Sequence, residues 1–135
     1  MNLEKFINVL NELAESNMQE GGSPYSAIVV WKDDIVAVAV NESHKTNDRT
    51  HHAELLAIQK ATQKLTNEQM KEAIVYASGE PCMMCYAAAQ YTQIQHMYYL
   101  VSRDEIVEMG KSINLPNTKK EHIPTASTKE IFLKW

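Results

Sequence analysis

The sequence predicts an α/β domain with a mixed sheet of about five strands lying between helices. Three observations carry that prediction. An amphipathic helix opens the chain, two apolar runs rich in β-branched residues follow it across a short polar turn, and helical and extended apolar segments then alternate as far as Gly110. The 135 residues are 44% hydrophobic, enough for one good core, so residues 1–135 are expected to form a single domain. No segment repeats and none is of low complexity.

Each element has its own signal. Leu3, Phe6, Ile7, Leu10, Leu13 and Ala14 recur at helical spacing, and Gly21-Gly22 stops that helix and starts a turn. Tyr25–Trp31 and Ile35–Val40 are apolar runs joined by Lys32-Asp33-Asp34, which makes a hairpin. Both strands are expected to be buried on two faces. Asn41–Thr50 is rich in Asn, Asp, Ser and Thr and reads as a loop. A second helix begins near Thr50 or His51, carrying Leu55, Leu56, Ile58, Ala61 and Leu65 at helical intervals.

Ile74–Ala77 is a third strand, Ser78-Gly79-Glu80-Pro81 a tight connection, and Cys82 to about Gln93 a third helix, whose start suits Pro81 because that residue has no N–H to satisfy. His96–Val101 is a fourth strand and Asp104–Met109 a short helix. Lys111–Thr125 is loop-like, with Pro116 and Pro124, and Lys119–Ile123 is the candidate fifth strand, at an edge. Ser127–Trp135 closes the chain as a helix. Met83, Met84, Tyr98 and Tyr99 are expected to pack.

Composition excludes several classes. The first twenty residues contain Glu4, Lys5, Glu12, Glu15 and Glu20 and no continuous apolar run, so they are neither a signal peptide nor a membrane span, and the cytoplasm is the expected compartment. A net charge of −4, from 13 basic and 17 acidic residues, argues against stable nucleic-acid binding, which needs clustered Lys and Arg. Lys119-Lys120 is the only local basic run and reads as solvated loop.

The chemistry lies in two short words, His52-Ala53-Glu54 and Pro81-Cys82-Met83-Met84-Cys85. They offer three candidate metal ligands, His52, Cys82 and Cys85, and one carboxylate, Glu54, free to move protons. Cys82 and Cys85 are the only cysteines and, taken alone, could be a redox pair, a disulfide or two buried thiols. A structural zinc site normally closes with four protein ligands, and neither a further cysteine nor a His at motif spacing (His44, His51, His96, His122) is there to complete one. Three ligands leave one position open, which is the catalytic arrangement.

Both words fall at helix starts. Residues two apart on an ideal helix point about 200° from each other, so His52 and Glu54 share a pocket only if the helix end itself faces the site. Cys82 and Cys85, three apart, share a face where backbone N–H groups favour thiolate.

Joined, the words read H-x-E…P-C-x-x-C, the signature of zinc-dependent base deaminases, and from Met1 to about Gly110 the chain resembles the cytidine, guanine and tRNA-adenosine deaminase superfamily. The resemblance implies a three-layer α/β/α sandwich, one zinc per chain, and a homodimer with sites near the subunit contacts. It also implies hydrolysis by a metal-activated water at the carbon bearing an exocyclic amine. Two thiolates and an imidazole nearly cancel the zinc charge, so the water needs a proton acceptor, and Glu54 is the residue the resemblance gives that role.

For the substrate, a small-molecule nucleobase, the resemblance is finer. Thr46–Glu54 is similar to the N-D-P-T-A-H-A-E of guanine and tRNA adenosine deaminases, with Arg49 in place of Pro and His51 in place of Ala, both on the rim. It places Asn41 where an amide reads the base edge, although a turn Asn is the plain alternative. Ala53 falls beside the substrate, and Tyr91 falls where an aromatic lines the pocket, unless it is an ordinary core aromatic. Either Asp104 or Glu105 matches a carboxylate that contacts the base, or else caps a short helix. His44 and His51 are candidate pocket groups, and Phe132 and Trp135 candidate closing residues. Guanine, giving xanthine and ammonia, is the first reading. Cytosine, a nucleoside or another aminated heterocycle such as a triazine is the second, and tRNA adenosine follows. A silent zinc-stabilised module is the non-enzyme alternative, against which Glu54 stands.

Overall fold

A computed structural model describes residues 2–111 and 119–134. In chain order its elements are α1 (Leu3–Gln19), β1 (Ser26–Trp31), β2 (Asp34–Val40), α2 (Ser43–Thr46), α3 (Ala53–Thr62), α4 (Asn67–Met70), β3 (Ile74–Gly79), α5 (Met83–Tyr91), β4 (His96–Val101), α6 (Arg103–Glu108) and α7 (Ala126–Leu133). The sheet runs β2-β1-β3-β4. β1 is antiparallel to both β2 and β3, while β3 and β4 are parallel and joined through α5.

Alternation along β1 divides the core. Ile28 and Val30 point to one face and meet Phe6 and Leu10 of α1 together with Tyr76. Ala27 and Val29 point to the other and meet Ala53, Ala57, Ile58 and Ala61 of α3 and Ala89 of α5. Three layers result. Each fully buried side chain such as Phe6, Leu10 or Ile28 contributes about 1.5–3 kcal/mol of hydrophobic transfer. The second interface is lined by small residues, with Ala53, Ala57 and Ala61 all at 0% exposure, so α3 lies close on the sheet and its first turn is drawn deep into the molecule.

The turns follow residue chemistry. Lys32 and Asp33 adopt φ of 50° and 65°, the left-handed pair of a two-residue hairpin whose twist matches the flanking strands. Gly21, at φ 92°, lets the chain leave α1. Thr66 and Gln69 form a capping box on α4, as Ser102 and Glu105 do on α6.

Four expectations are corrected. The sheet has four strands among the described residues, not five: Lys119–Ile123 is irregular, because with one apolar residue in five it has no face to bury. β2 is not buried on both faces; it is an edge strand with Val38 exposed, and Lys60 and Lys64 of α3 donate to the carbonyls of Val38 and Val36 at 2.9 and 2.8 Å. The Asn41–Thr50 loop includes the short helix α2. Met83, at the start of α5, and Tyr98 and Tyr99 are exposed rather than packed inside, the two tyrosines because β4 is the opposite edge; the Tyr98 ring stacks on Tyr76 with centroids 5.4 Å apart. Pro116 lies outside the described residues, as does Trp135, and α7 ends at Leu133.

Candidate active site

Two helix N-termini converge. His52 is the N-cap of α3 and Cys82 the N-cap of α5, and neither side chain caps its own helix, so both are free to turn toward one point. Cys85 sits one turn into α5, fully buried. The Cys82 Sγ lies 3.4 Å from His52 Nδ1, the Cys85 Sγ 3.6 Å from the same nitrogen, and the two sulfurs are 3.7 Å apart. With metal–sulfur bonds of about 2.3 Å and metal–nitrogen bonds of about 2.05 Å, a tetrahedral zinc requires edges of about 3.8 Å between sulfurs and about 3.6 Å between sulfur and nitrogen. The three donor atoms therefore form one face of such a tetrahedron, with the fourth corner open. These three residues are the cluster able to hold a metal ion among the described residues.

The surroundings fix the ligands. The Arg49 backbone accepts from the His52 ring, which leaves Nδ1 turned to the sulfurs. His52 is raised above its usual range, chiefly by the Cys82 sulfur, against burial. The two thiols act as a pair: Cys82 is lowered, first by a hydrogen bond from Cys85, and Cys85 is pushed up by that bond and by burial. A metal held by both sulfurs would displace their protons. The connection that carries Cys82 is braced by Arg103, whose N–H donates to Glu80 at 2.9 Å and whose guanidinium donates to the Pro81 carbonyl at 3.4 Å.

Glu54 lies in the first turn of α3, 3% exposed. Burial pushes its carboxyl up to about 7, only partly offset by its own backbone N–H, His52 and Cys85. A carboxyl of that affinity exchanges protons readily near neutral pH.

The triad stands between two clefts. One, of about 320 Å³, is lined by Gly21, Gly22, Ser23, Asn41, Ser43, His44, Arg49 and His52. The other, of about 290 Å³, is lined by residues that include Cys82, Met83, Tyr86 and Tyr99. Asn41 and His44 are thus at the site, and Ala53 lies buried between ligand and carboxyl. His51 instead turns to Asp48 and Thr46. Glu105 accepts the Ser102 N–H as a helix cap, Asp104 is exposed on the same turn, and neither lines a cleft. Tyr91 is 91% exposed at the far end of α5 and is not brought to the triad; Phe132 lies on α7, also exposed.

Sequence reasoning missed Tyr25. Its ring packs against Gly79, at the end of the strand that leads to Cys82, and its hydroxyl is raised by burial and then by the charge of Glu54. As the first residue of an apolar run it reads as packing, and only its position after Gly21-Gly22-Ser23-Pro24 hinted otherwise.

The model of one family, the MafB19-like deaminases, matches residues 1–135. The chain belongs to that family. It is 34% identical to the guanine deaminase of Bacillus subtilis (strain 168) over 111 residues, covering 82% of this chain and 71% of that enzyme. The solved structure of the guanine deaminase from Bacillus subtilis superposes with a TM-score of 0.85 at 28% identity, covering 100% of this chain and 94% of the other. A subunit of the tRNA-specific adenosine deaminase of Schizosaccharomyces pombe is 27% identical over 112 residues, 83% of this chain but 29% of its own length. This MafB19-like deaminase is a hydrolytic deaminase with the cytidine deaminase-like fold. No helix among its described residues is long and apolar enough to cross a membrane.

Proposed function

We propose that this deaminase acts as a single domain on a free aminated nucleobase, guanine first, releasing ammonia and leaving xanthine. The observation that carries the reaction is the open tetrahedral face of His52, Cys82 and Cys85 with the buried Glu54 carboxyl beside it. Guanine is supported by the likeness to the Bacillus subtilis enzyme in both sequence and fold. An overall charge of −4 favours a small substrate over tRNA.

Zinc is the metal we assign to the triad, since two thiolates and an imidazole suit it, and when bound it supplies Lewis acidity that activates water. The chain's own residues supply the rest. Glu54 takes one proton from the attacking water onto a carboxyl oxygen and passes it to a ring nitrogen, then takes the remaining proton from the hydroxyl on the attacked carbon and passes it to the amine, which departs as ammonia as the carbonyl forms. Asn41 accepts the Ser43 N–H at Oδ1, 2.9 Å away, which frees its Nδ2 to donate to the base edge. Ala53, whose side chain is buried against the sheet, is assigned to the base through its backbone between His52 and Glu54. The exposed Met83, Tyr86, Tyr98 and Tyr99 form the surface we assign to a homodimer contact.

The test is ammonia release by zinc-loaded protein against guanine, guanosine, cytosine, cytidine, adenine, adenosine and a tRNA anticodon stem-loop, with Glu54→Ala in parallel. Turnover of guanine that Glu54→Ala abolishes is the expected result. Preferential turnover of cytosine or another aminated ring favours the second reading, and silence across the panel with zinc bound would overturn the first.

A further inference from the structure

The cleft on the His52 side is lined by Ser23, His44 and Arg49 as well as by His52 of the triad and the base-reading Asn41. We propose that the part of it built from Ser23, His44 and Arg49 is a subsite for an oxyanion carried by the substrate, as a ring carboxylate or as the phosphate of a nucleoside monophosphate. This rests on the deaminase reading above, and it moves the substrate from free guanine, which carries no such group, to an anionic aminated ring or nucleotide.

The walls are fixed. A β-carbon on Gly22 would lie 2.5 Å from His44 Cε1 and 2.6 Å from Asn17 Nδ2, so glycine alone lets the imidazole sit against that backbone. Asn17, 2% exposed at the end of α1, donates from Nδ2 to the carbonyls of Ser23 at 2.8 Å and Asn41 at 3.0 Å, tying both walls to one helix. The cleft is therefore built, with Ser23, His44 and Arg49 lining it together with His52 and Asn41.

The lining is a set of donors. No carboxylate lines the cleft among the described residues. Two nearby acids are engaged elsewhere, Glu20 with Lys45 at 2.9 Å, and Asp48 with His51 at 3.2 Å and the Thr50 hydroxyl at 2.7 Å, while Glu42, between the lining residues Asn41 and Ser43, is not itself among the lining residues. The Arg49 guanidinium has no ion-pair partner among the described residues. The Ser23 hydroxyl is buried without a partner there as well. A permanent cation, an orphan hydroxyl and an imidazole around one space are complementary to an anion and mismatched to a neutral apolar substituent.

The test reads binding and turnover separately. Calorimetry on the zinc-loaded protein compares rings that cannot be deaminated, in neutral and anionic pairs: xanthosine with xanthosine 5′-monophosphate, and uracil with uracil-5-carboxylate. Ammonia release compares guanosine with guanosine 5′-monophosphate, and cytosine with cytosine-5-carboxylate. The expected result is that the anionic member of one pair binds about tenfold or more tightly, that Arg49→Gln removes this advantage while moving the neutral member less than about twofold, and that Arg49→Lys restores part of it. Which pair responds tells carboxylate from phosphate. Equal binding within both pairs, or an equal loss of both members in Arg49→Gln, overturns the subsite. Ammonia release without anion preference sinks the subsite and keeps the deaminase reading; anion preference without ammonia release does the reverse.

Discussion

The ring of Tyr25 lies so close over Gly79 that a β-carbon at residue 79 would come within 2.6 Å of its Cε1 and 3.0 Å of its Cδ1. Tyr25 leads into β1 and Gly79 ends β3, so the contact closes the end of the sheet from which the Cys82 connection departs. Gly79→Ala must therefore push the ring toward the triad or the strand away from it. The expected cost is about 1–3 kcal/mol of stability, the usual penalty of overpacking. A thermal or urea melt measures it, and an unchanged midpoint would show that the ring moves freely.

The metal prediction follows from geometry. With three protein ligands, loss of one sulfur leaves a site that no longer holds zinc against competition. Cys82→Ser is expected to purify with far less than one zinc per chain, and a chelator should lower the melting temperature of the parent protein but not of the variant. Equal zinc content in the two proteins would remove Cys82 from the ligand set.

Glu54→Gln keeps shape and removes the carboxylate. Because Glu54 is 3% exposed and its charge is disfavoured by burial, the amide should cost little stability. Turnover is expected to fall by about 10²–10⁴ with zinc content unchanged, the range of a lost proton-transfer group. A variant that retained full turnover would show that another group moves the proton.

The fold and the triad were largely legible because each rested on spacing. The helical repeat from Leu3 to Ala14, the apolar runs of β1 and β3, and His52, Cys82 and Cys85 all stand where periodicity and motif put them. What failed depended on neighbours. The burial of β2 depended on whether a further strand or helix lay beyond it, and the fate of Tyr98 and Tyr99 on what covers β4, neither of which is written in their own residues. Tyr91 has the composition of a pocket aromatic, but nine residues of helix carry it away from Cys82, about 1.5 Å per residue. His44 gave no signal stronger than any loop histidine, and it was placed at the cleft by the glycine beneath it.

The alanine stripe of α3 supplies a prediction that tests how the core sets the site. Ala53, Ala57 and Ala61 recur every fourth residue, each fully buried against strands that themselves offer Ala27, Ala37 and Ala39. Small residues on both sides let helix and sheet approach closely, and that depth brings the first turn of α3 down to meet the first turn of α5. Ala57→Leu adds three carbons where none fit, one turn from Glu54. It is expected to cost about 1–3 kcal/mol and to lift α3, weakening zinc retention although no ligand is touched. Ala61→Leu makes the same change a turn further from the ligands, and should cost similar stability while retaining more zinc. Comparing the melting temperature and zinc content of the two variants separates a helix that positions the triad from one that only packs. Zinc loss of equal size in both would mean that close packing along the whole of α3, rather than at its first turn, holds the site.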